Sequence, residues 1–260
     1  MLLCIDCGNT QTVLGLYGGA DGAGELVDHW RVSTDPDRTS DEQALLLDQL
    51  LGLRDFALED VGGVSIASTA PAITAVLRET CRRYLSGTHV VVVGSGVRSG
   101  MAIRYDNPHE VGPDRIANAV AAFEAHGGPT IVVDFGTATI FDAISGAGEY
   151  VGGAIFPGLE ISLDALFGRA SALRRVELAR PDRAIGRSAT ESIQAGTVLG
   201  YASVVEGMCD RFEEELGGQA KIVATGSLAD LVVPLVDRTI AVDPWLTLEG
   251  LRVIYGRNLR

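Results

Sequence analysis

Lys221 is the only lysine among 260 residues. That scarcity removes two common ways of holding a nucleotide. A P-loop needs the pattern G-x-x-x-x-G-K-[ST], and no such stretch exists. A protein-kinase site needs a lysine on a Val-Ala-Ile-Lys type of strand together with its partner motifs. Positive charge is short in general: 21 Lys and Arg stand against 34 Asp and Glu, a formal net charge of −13. Nucleic acid is not an expected partner, because binding it needs a basic surface. ATP stays open, since a local loop and a metal can hold phosphate on an acidic protein. The four cysteines (Cys4, Cys7, Cys81, Cys209) are too few and scattered for a disulfide framework. The four histidines (His29, His89, His109, His126) lack metal-ligand spacing. No apolar run approaches the length of a bilayer span. Met1-Leu2-Leu3-Cys4-Ile5 has no basic start and runs straight into Asp6, unlike a secretion signal. The expectation is a cytoplasmic protein with no membrane association.

What is present is a pattern that occurs twice. Cys4-Ile5-Asp6-Cys7-Gly8-Asn9-Thr10 and Val132-Val133-Asp134-Phe135-Gly136-Thr137-Ala138-Thr139 each read as an apolar strand ending in Asp, any residue, Gly, then hydroxyl or amide residues. Glycine lets backbone N–H groups approach a phosphate without a side chain in the way. The Asp can hold a cation against that phosphate. Two such loops suggest two related domains gripping one nucleotide between them. Cys4 and Cys7 also make a C-x-x-C. In redox proteins that motif opens a helix, whereas here it straddles a strand end; a redox or metal pair and two small buried thiols are the two readings.

Along the chain, Leu2 to Ile5 and Thr12 to Tyr17 predict two strands joined by an Asp6–Thr10 loop, with a third strand from Glu25 to Ser33 after the glycine-rich turn Gly18 to Gly24. Ser40 with Gln43 forms a capping-box pattern ahead of a leucine-rich helix ending at Gly52. Val64 to Ser68 and Val90 to Val93 read as buried strands around a helix from Pro71 to Tyr84, which implies parallel pairing. The second half repeats the order: a helix from Ile116 to Ala125, strands over Thr130–Asp134, Thr139–Ile144 and Tyr150–Ile155, and a helix from Leu159 to about Ala172. A long helix over Glu191–Leu216 follows, then a strand at Ile222–Ala224 running into Thr225-Gly226-Ser227, and a further helix. Gly94-Ser95-Gly96-Val97-Arg98-Ser99-Gly100 is one residue too long for a dinucleotide fingerprint and is followed by strand-like Met101 to Tyr105, so it reads as a plain loop.

These pieces resemble the actin-like ATPase superfamily of sugar kinases, acetate kinases, heat-shock ATPases and actin, and within it the type III pantothenate kinases. The resemblance runs from Met1 to about Leu259. It is carried by Asp6-Cys7-Gly8-Asn9-Thr10, Tyr105-Asp106-Asn107-Pro108, Gly112-Pro113-Asp114-Arg115, Asp134 to Thr139, Gly152 to Gly158, and Gly186 to Thr190 ahead of Ser192 to Gly196. The implied fold is α/β: two duplicated RNase H-like domains, each a mixed sheet of antiparallel hairpin strands plus parallel strands flanked by helices. The boundary is placed near residue 115, giving domains 1–115 and 116–260.

The resemblance implies ATP-dependent phosphorylation of the hydroxyl of pantothenate, the first step toward coenzyme A. It implies a homodimer that needs Mg2+ and a monovalent cation, K+ or NH4+. It carries over ATP contacts at Asp6, Cys7, Gly8, Asn9, Thr10, Gln11, Thr12, Val13 and Thr137. It places Mg2+ at Asp6, the monovalent cation at Asp134, and pantothenate at Tyr105, Gly112, Pro113, Asp114, Arg115 and Thr190. Asp114 becomes the general base. Two departures stand out: Pro113 replaces the usual small residue, and in Thr225-Gly226-Ser227, a third motif expected to pack against the base or ribose, Ser227 replaces a second glycine.

Read as residues alone, several of these keep a plainer alternative. Asp114 also suits the N-cap of the following helix. Arg115 also suits a surface salt bridge, Tyr105 a core position, and Asp142 either a partner of Asp134 or an exposed strand charge. Two other functions stay in view: a non-catalytic nucleotide-binding regulator on the same scaffold, and a kinase for another small alcohol such as a sugar.

Overall fold

A computed structural model describes residues 1–19, 21–94, 96–170 and 173–259. Ala20 of the Gly18–Gly24 turn, Ser95 of the Gly94–Gly100 loop, the expected helix end at Ala172, and Arg260 lie outside the described residues. In chain order the elements are β1 (Leu2–Cys7), β2 (Gln11–Tyr17), β3 (Leu26–Ser33), α1 (Ser40–Gly52), β4 (Gly63–Ser68), α2 (Pro71–Tyr84), β5 (His89–Val92), β6 (Ala102–Ile103) and α3 (Pro113–His126). They continue with β7 (Thr130–Phe135), β8 (Ala138–Ile144), β9 (Glu149–Pro157), α4 (Leu159–Arg169), α5 (Ala189–Gln194), α6 (Gly200–Leu216), β10 (Lys221–Thr225), α7 (Ala229–Val232), β11 (Ala241–Val242) and α8 (Leu246–Arg257). Among the described residues no helix is long and apolar enough to cross a membrane.

The chain forms two compact units that interleave in sequence. Met1–Met101, Tyr105–Ala121 and Leu246–Arg260 make the first; Ala102–Arg104 and Ala122–Trp245 make the second. The first sheet has the order β3-β2-β1-β4-β5, with β1, β2 and β3 antiparallel and β1, β4 and β5 parallel. The second reads β11-β10-β7-β8-β9-β6. Run from β9 to β11 it repeats the first sheet strand for strand, with β6 added on the outer edge of β9. The registers repeat as well. Asp6 lies opposite Val13, and Asp134 lies opposite Ile140. Each unit also shifts register at the end of its second strand, at Leu16/Tyr17 and Ala143/Ile144. The duplicated α/β fold expected from the two motifs is the fold observed.

Strand alternation decides which side chains enter each core. In the first unit Leu3, Ile5 and Cys7 join Leu14, Leu16 and Ile66 in one apolar cluster with Leu47 and Leu51 of α1 and Leu77 and Cys81 of α2. Leu2, Cys4 and Asp6 point to the opposite face. Cys4 and Cys7 are therefore on opposite faces of one strand and cannot pair; all four cysteines are free and buried. In the second unit Ile131, Val133 and Phe135 of β7 pack with Leu159 and Leu163 of α4 and Val205 and Cys209 of α6.

Four local expectations are corrected. β1 runs through Asp6 and Cys7, which pair with Val13 and Thr12, so the first loop shrinks to Gly8, Asn9 and Thr10. The capping box of α1 is Thr39 with Glu42: the Thr39 hydroxyl accepts from Glu42 N (3.3 Å), and the Glu42 carboxylate accepts from Thr39 N (2.8 Å). Gln43 is buried, and its side-chain oxygen accepts from Arg38 instead (3.3 Å). The long helix over Glu191–Leu216 is α5 and α6 joined by a widened π-type turn, Ala195–Leu199, with Gly196 inside it and Gly200 just after. Glycine is the weakest helix former apart from proline, so the ladder loosens there. The helix starting at Pro113 begins earlier than expected, with consequences for Asp114 described below.

The helix α8 was not anticipated. It buries Leu246, Leu248, Leu251, Ile254 and Tyr255 in the first unit. Ser65 Oγ of β4 donates to Leu251 O (2.9 Å), and Thr247 Oγ1 donates to Asn118 Oδ1 of α3 (2.7 Å). Gly250 lies so close to the backbone of Ala117 that no Cβ fits. Gly207 of α6, by contrast, has open space around it. Gly250→Ala is expected to destabilise the protein by about 2 kcal/mol or more through overpacking. Gly207→Ala is expected to stabilise it by about 0.5 kcal/mol through helix propensity. Urea unfolding of both variants checks the pair of signs.

Candidate active site

The residues expected at the nucleotide phosphates fall at one end of β1 and β2. Gly8, Asn9 and Thr10 form the turn, closed by Gly8 N donating to Gln11 O (3.0 Å). A Cβ on Gly8 would lie 3.2 Å from that same oxygen, a tight contact. Asn9, Thr10 and Gln11 are exposed, Asp6, Gly8 and Val13 are half-buried, and Cys7 and Thr12 are buried. Asp6 thus ends the strand face opposite α1 and α2, beside an exposed glycine turn. The turn is also braced from β3. Thr34, which follows that strand, donates from its hydroxyl to Gly8 O (2.8 Å) and from its N–H to Thr10 O (3.0 Å). Gln11 Oε1 accepts from Arg31 (2.7 Å).

Of the residues expected at the acceptor, Gly112 precedes α3 and Pro113, Asp114 and Arg115 begin it, in the same unit. Pro113 is its first residue, where a fixed φ and a missing N–H suit the helix. Asp114 is therefore in the first turn rather than at the N-cap, and that alternative for Asp114 is corrected. Its Oδ1 folds back over Gly112 into the space a Cβ there would occupy. That oxygen is buried and has no hydrogen-bond partner among the described residues. Burial pushes the Asp114 carboxyl above its ordinary value, against the backbone N–H groups of Arg115 and Asp114 and the Arg115 charge, which pull it down. Arg115 is only 6% exposed, so a surface salt bridge does not describe it. Tyr105 is half-buried, ahead of an exposed stretch Asp106–Glu110. In that stretch Asn107 donates to Glu110 (2.8 Å) and accepts from His109 N (3.3 Å).

The second unit carries the other set. Asp134 is the last residue but one of β7, the place Asp6 holds in β1, and pairs with Ile140 on one side and Thr225 on the other. The turn here is shorter, Gly136 and Thr137, closed by Gly136 N donating to Ala138 O (3.1 Å). Both turn residues are exposed. Two further glycines support it from behind. Gly158 N donates to Thr137 O (3.2 Å), and neither Gly158 against Thr137 nor Gly226 against Phe135 leaves room for a Cβ. Gly226 also has φ of +92°, in the region that favours glycine. Thr139 is buried, and the Tyr201 hydroxyl donates to Pro157 O and meets Ser162 Oγ (3.2 Å). Asp142 is buried and accepts from Tyr150 (2.7 Å), so it is not an exposed strand charge. Thr190 is exposed in the first turn of α5, whose N-cap Ser188 accepts from Glu191 N (3.2 Å).

Thr34 and Tyr201 were not singled out in the sequence. Thr34 follows a strand and opens a polar loop, a pattern shared by many turns. Tyr201 sits inside a long helical stretch with no motif around it. Their partners are far away in the chain, and only the fold brings them to the two turns.

Duplicated mixed sheets, each with an acidic residue and a glycine turn at the end of its first strand, define the actin-like ATPase fold. A solved structure from Campylobacter jejuni, assigned to the Baf family of transcriptional activators, aligns with a TM-score of 0.62 at 17% identity, covering 98% of this chain and 98% of that one. Residues 2–211 match the family model for type III pantothenate kinase. A type III pantothenate kinase of Moorella thermoacetica is 52% identical over 258 residues, covering 99% of this chain and 100% of that protein. One of Streptomyces avermitilis is 50% identical over 266 residues, covering 100% and 99%. This chain belongs to the type III pantothenate kinase family.

The Asp114 environment has a thermodynamic sign that can be measured. A carboxyl raised by burial destabilises the folded state wherever it is ionised, above its folded pKa, and not below its unfolded pKa. Asp114→Asn is therefore expected to raise the melting temperature at neutral pH. The gain should shrink as pH falls through the raised carboxyl pKa and vanish below the ordinary carboxylate range. Calorimetric melts of both proteins across acidic and neutral pH test this.

Proposed function

We infer that the protein is a pantothenate kinase, transferring the γ-phosphoryl group of ATP to the hydroxyl of pantothenate to give 4'-phosphopantothenate, the first step of coenzyme A biosynthesis. Membership of the family over nearly the whole chain supports this reading. So does Asp114, a carboxylate with a buried oxygen and a raised pKa at the start of a helix. Neither a non-catalytic regulator nor a kinase for another small alcohol is favoured by relatives of this closeness.

Phosphoryl transfer asks mainly for positioning and charge neutralisation. In this reading Asp114 accepts the proton of the pantothenate hydroxyl as its oxygen bonds to the γ-phosphorus and the bond to the β-phosphate oxygen breaks, releasing ADP. A raised pKa makes Asp114 a better proton acceptor than an ordinary carboxylate. Tyr105, Gly112, Pro113, Arg115 and Thr190 contact pantothenate, with the permanent charge of Arg115 suited to its carboxylate or amide oxygen. Gly112 leaves room for the Asp114 carboxylate by having no side chain.

Asp6 to Val13 and Thr137 contact ATP. Asp6 and Asp134 offer hard carboxylate oxygens at strand ends beside exposed glycine turns, the donor type that Mg2+ and K+ take. Asp6 would hold Mg2+, and Asp134 the monovalent cation, K+ or NH4+. When bound, these ions offset the charge of the triphosphate. The protein acts as a cytoplasmic homodimer.

A coupled ADP-release assay tests the reading. Turnover is expected only with pantothenate present, and to stall when Na+ replaces K+ and NH4+. Asp114→Asn should fold and lose about 10²-fold or more in kcat; near-full activity would remove Asp114 as the base. The acid limb of kcat/KM in the wild type should lie above the ordinary carboxylate range, because the base works only when deprotonated.

A further inference from the structure

The Gly8–Thr10 turn is held by a residue that is not among its expected nucleotide contacts. Thr34 lies 26 positions from Gly8, just past the end of β3. Its hydroxyl donates to Gly8 O (2.8 Å), and its N–H donates to Thr10 O (3.0 Å). Its Oγ1 is also 2.9 Å from Thr12 Oγ1, which lies 3.4 Å from Cys7 Sγ. With the Thr34 hydroxyl proton on the Gly8 carbonyl, the Thr12 hydroxyl has both Thr34 Oγ1 and Cys7 Sγ as acceptors. A short relay results, from buried Thr12 through half-buried Thr34 to the turn backbone.

The relay controls which way an amide points. In a trans peptide the carbonyl of one residue and the N–H of the next point in opposite directions. Only the Gly128–Pro129 bond is cis among the described residues, so the peptide joining Gly8 to Asn9 is trans. Holding Gly8 O toward Thr34 therefore aims the Asn9 N–H away from Thr34, to the other side of the turn. Gly8 leaves that peptide little stiffness of its own. The second unit has a matching arrangement built from other residues. Buried Thr139 stands at the place of Thr12, and Tyr201 holds Pro157 O next to Gly158, whose N–H holds Thr137 O. In both units a hydroxyl from a separate segment braces the backbone at or beside the turn.

We propose that Thr34 is the positioning residue of the first phosphate turn, fixing the Asn9 N–H for ATP through the Gly8 carbonyl without touching the nucleotide. The proposal rests on the reading of Gly8–Thr10 as a contact of the ATP phosphates.

Three variants of the full chain separate the outcomes: Thr34→Val keeps the shape and removes the hydroxyl, Thr34→Ser keeps the hydroxyl, and Thr10→Ala alters the turn itself. ATP affinity is measured by calorimetry with Mg2+, alongside kcat, both KM values and the melting temperature. Thr34→Val is expected to weaken ATP binding and raise KM for ATP about tenfold, the scale of the hydrogen bonds lost. KM for pantothenate should stay within about twofold. Thr34→Ser should restore ATP affinity to within about twofold of wild type. The proposal is overturned if Thr34→Val binds ATP as the wild type does, or if Thr34→Ser is impaired equally. It is also overturned if Thr34→Val lowers only the melting temperature and kcat, which would mark Thr34 as a structural brace. Should Thr10→Ala weaken ATP while Thr34→Val does not, Thr34 alone is excluded. Unchanged ATP affinity in both would mean that the turn does not contact the phosphates, and the underlying reading would fall with the proposal.

Discussion

Antiparallel pairing of the first two strands of each sheet, with Asp6 opposite Val13 and Asp134 opposite Ile140, is the constraint on which the candidate site depends. Side chains alternate along a strand, so a slip of one residue would exchange the two faces. Asp6 would then enter the cluster of Leu3, Ile5, Leu14 and Ile66 under α1 and α2, and an apolar residue would take its place beside the turn. Burying an unpaired carboxylate there would cost several kcal/mol. The apolar pattern that makes the core therefore also sets the side on which the acid emerges. The glycines finish the job: Gly8 is confined by Gln11 O, and Gly158 and Gly226 pack backbone against backbone behind Gly136 and Thr137.

The acceptor side is built on a different principle. The two glycine turns are exposed and rely on main-chain geometry, whereas Asp114 and Arg115 are drawn inward at a helix start. Pro113 and Gly112 make this possible from opposite directions. One is rigid and begins the helix; the other is bare and leaves room for the carboxylate oxygen. A carboxylate kept partly out of water works against stability, and in the proposed reaction it would favour proton transfer. Such a conflict between local energy and global fold is what a functional position commonly looks like.

Much of this was legible in the amino-acid order. The two Asp-x-Gly patterns gave the duplication, because each motif combines strand periodicity with a glycine that plain turns do not need at matching places. Pro71 marked the start of α2, and Tyr84 its end, as the structure has them. What could not be read depended on partners far apart in the chain. The capping box moved by one residue because Gln43 is buried in the fold and cannot serve as the cap. The cysteine pair looked like a motif until strand alternation separated its members. Thr34, Tyr201 and Gly250 carry no signature of their own, and each is explained only by what lies against it: Gly8, Pro157 and Ala117.

The first unit borrows α8 from beyond the second, and this bears on the order of assembly. Residues 246–257 supply one covering layer for β1 and β4, with Ser65 anchored on Leu251. On a ribosome they are made after every residue of the second unit. The second sheet and its helices can close while still being synthesised, but the strands made earliest must wait, one face bare, for a helix made near the end. Domains usually fold from the N-terminal side first; here the first unit lacks one of its covering helices until every residue of the second has been made.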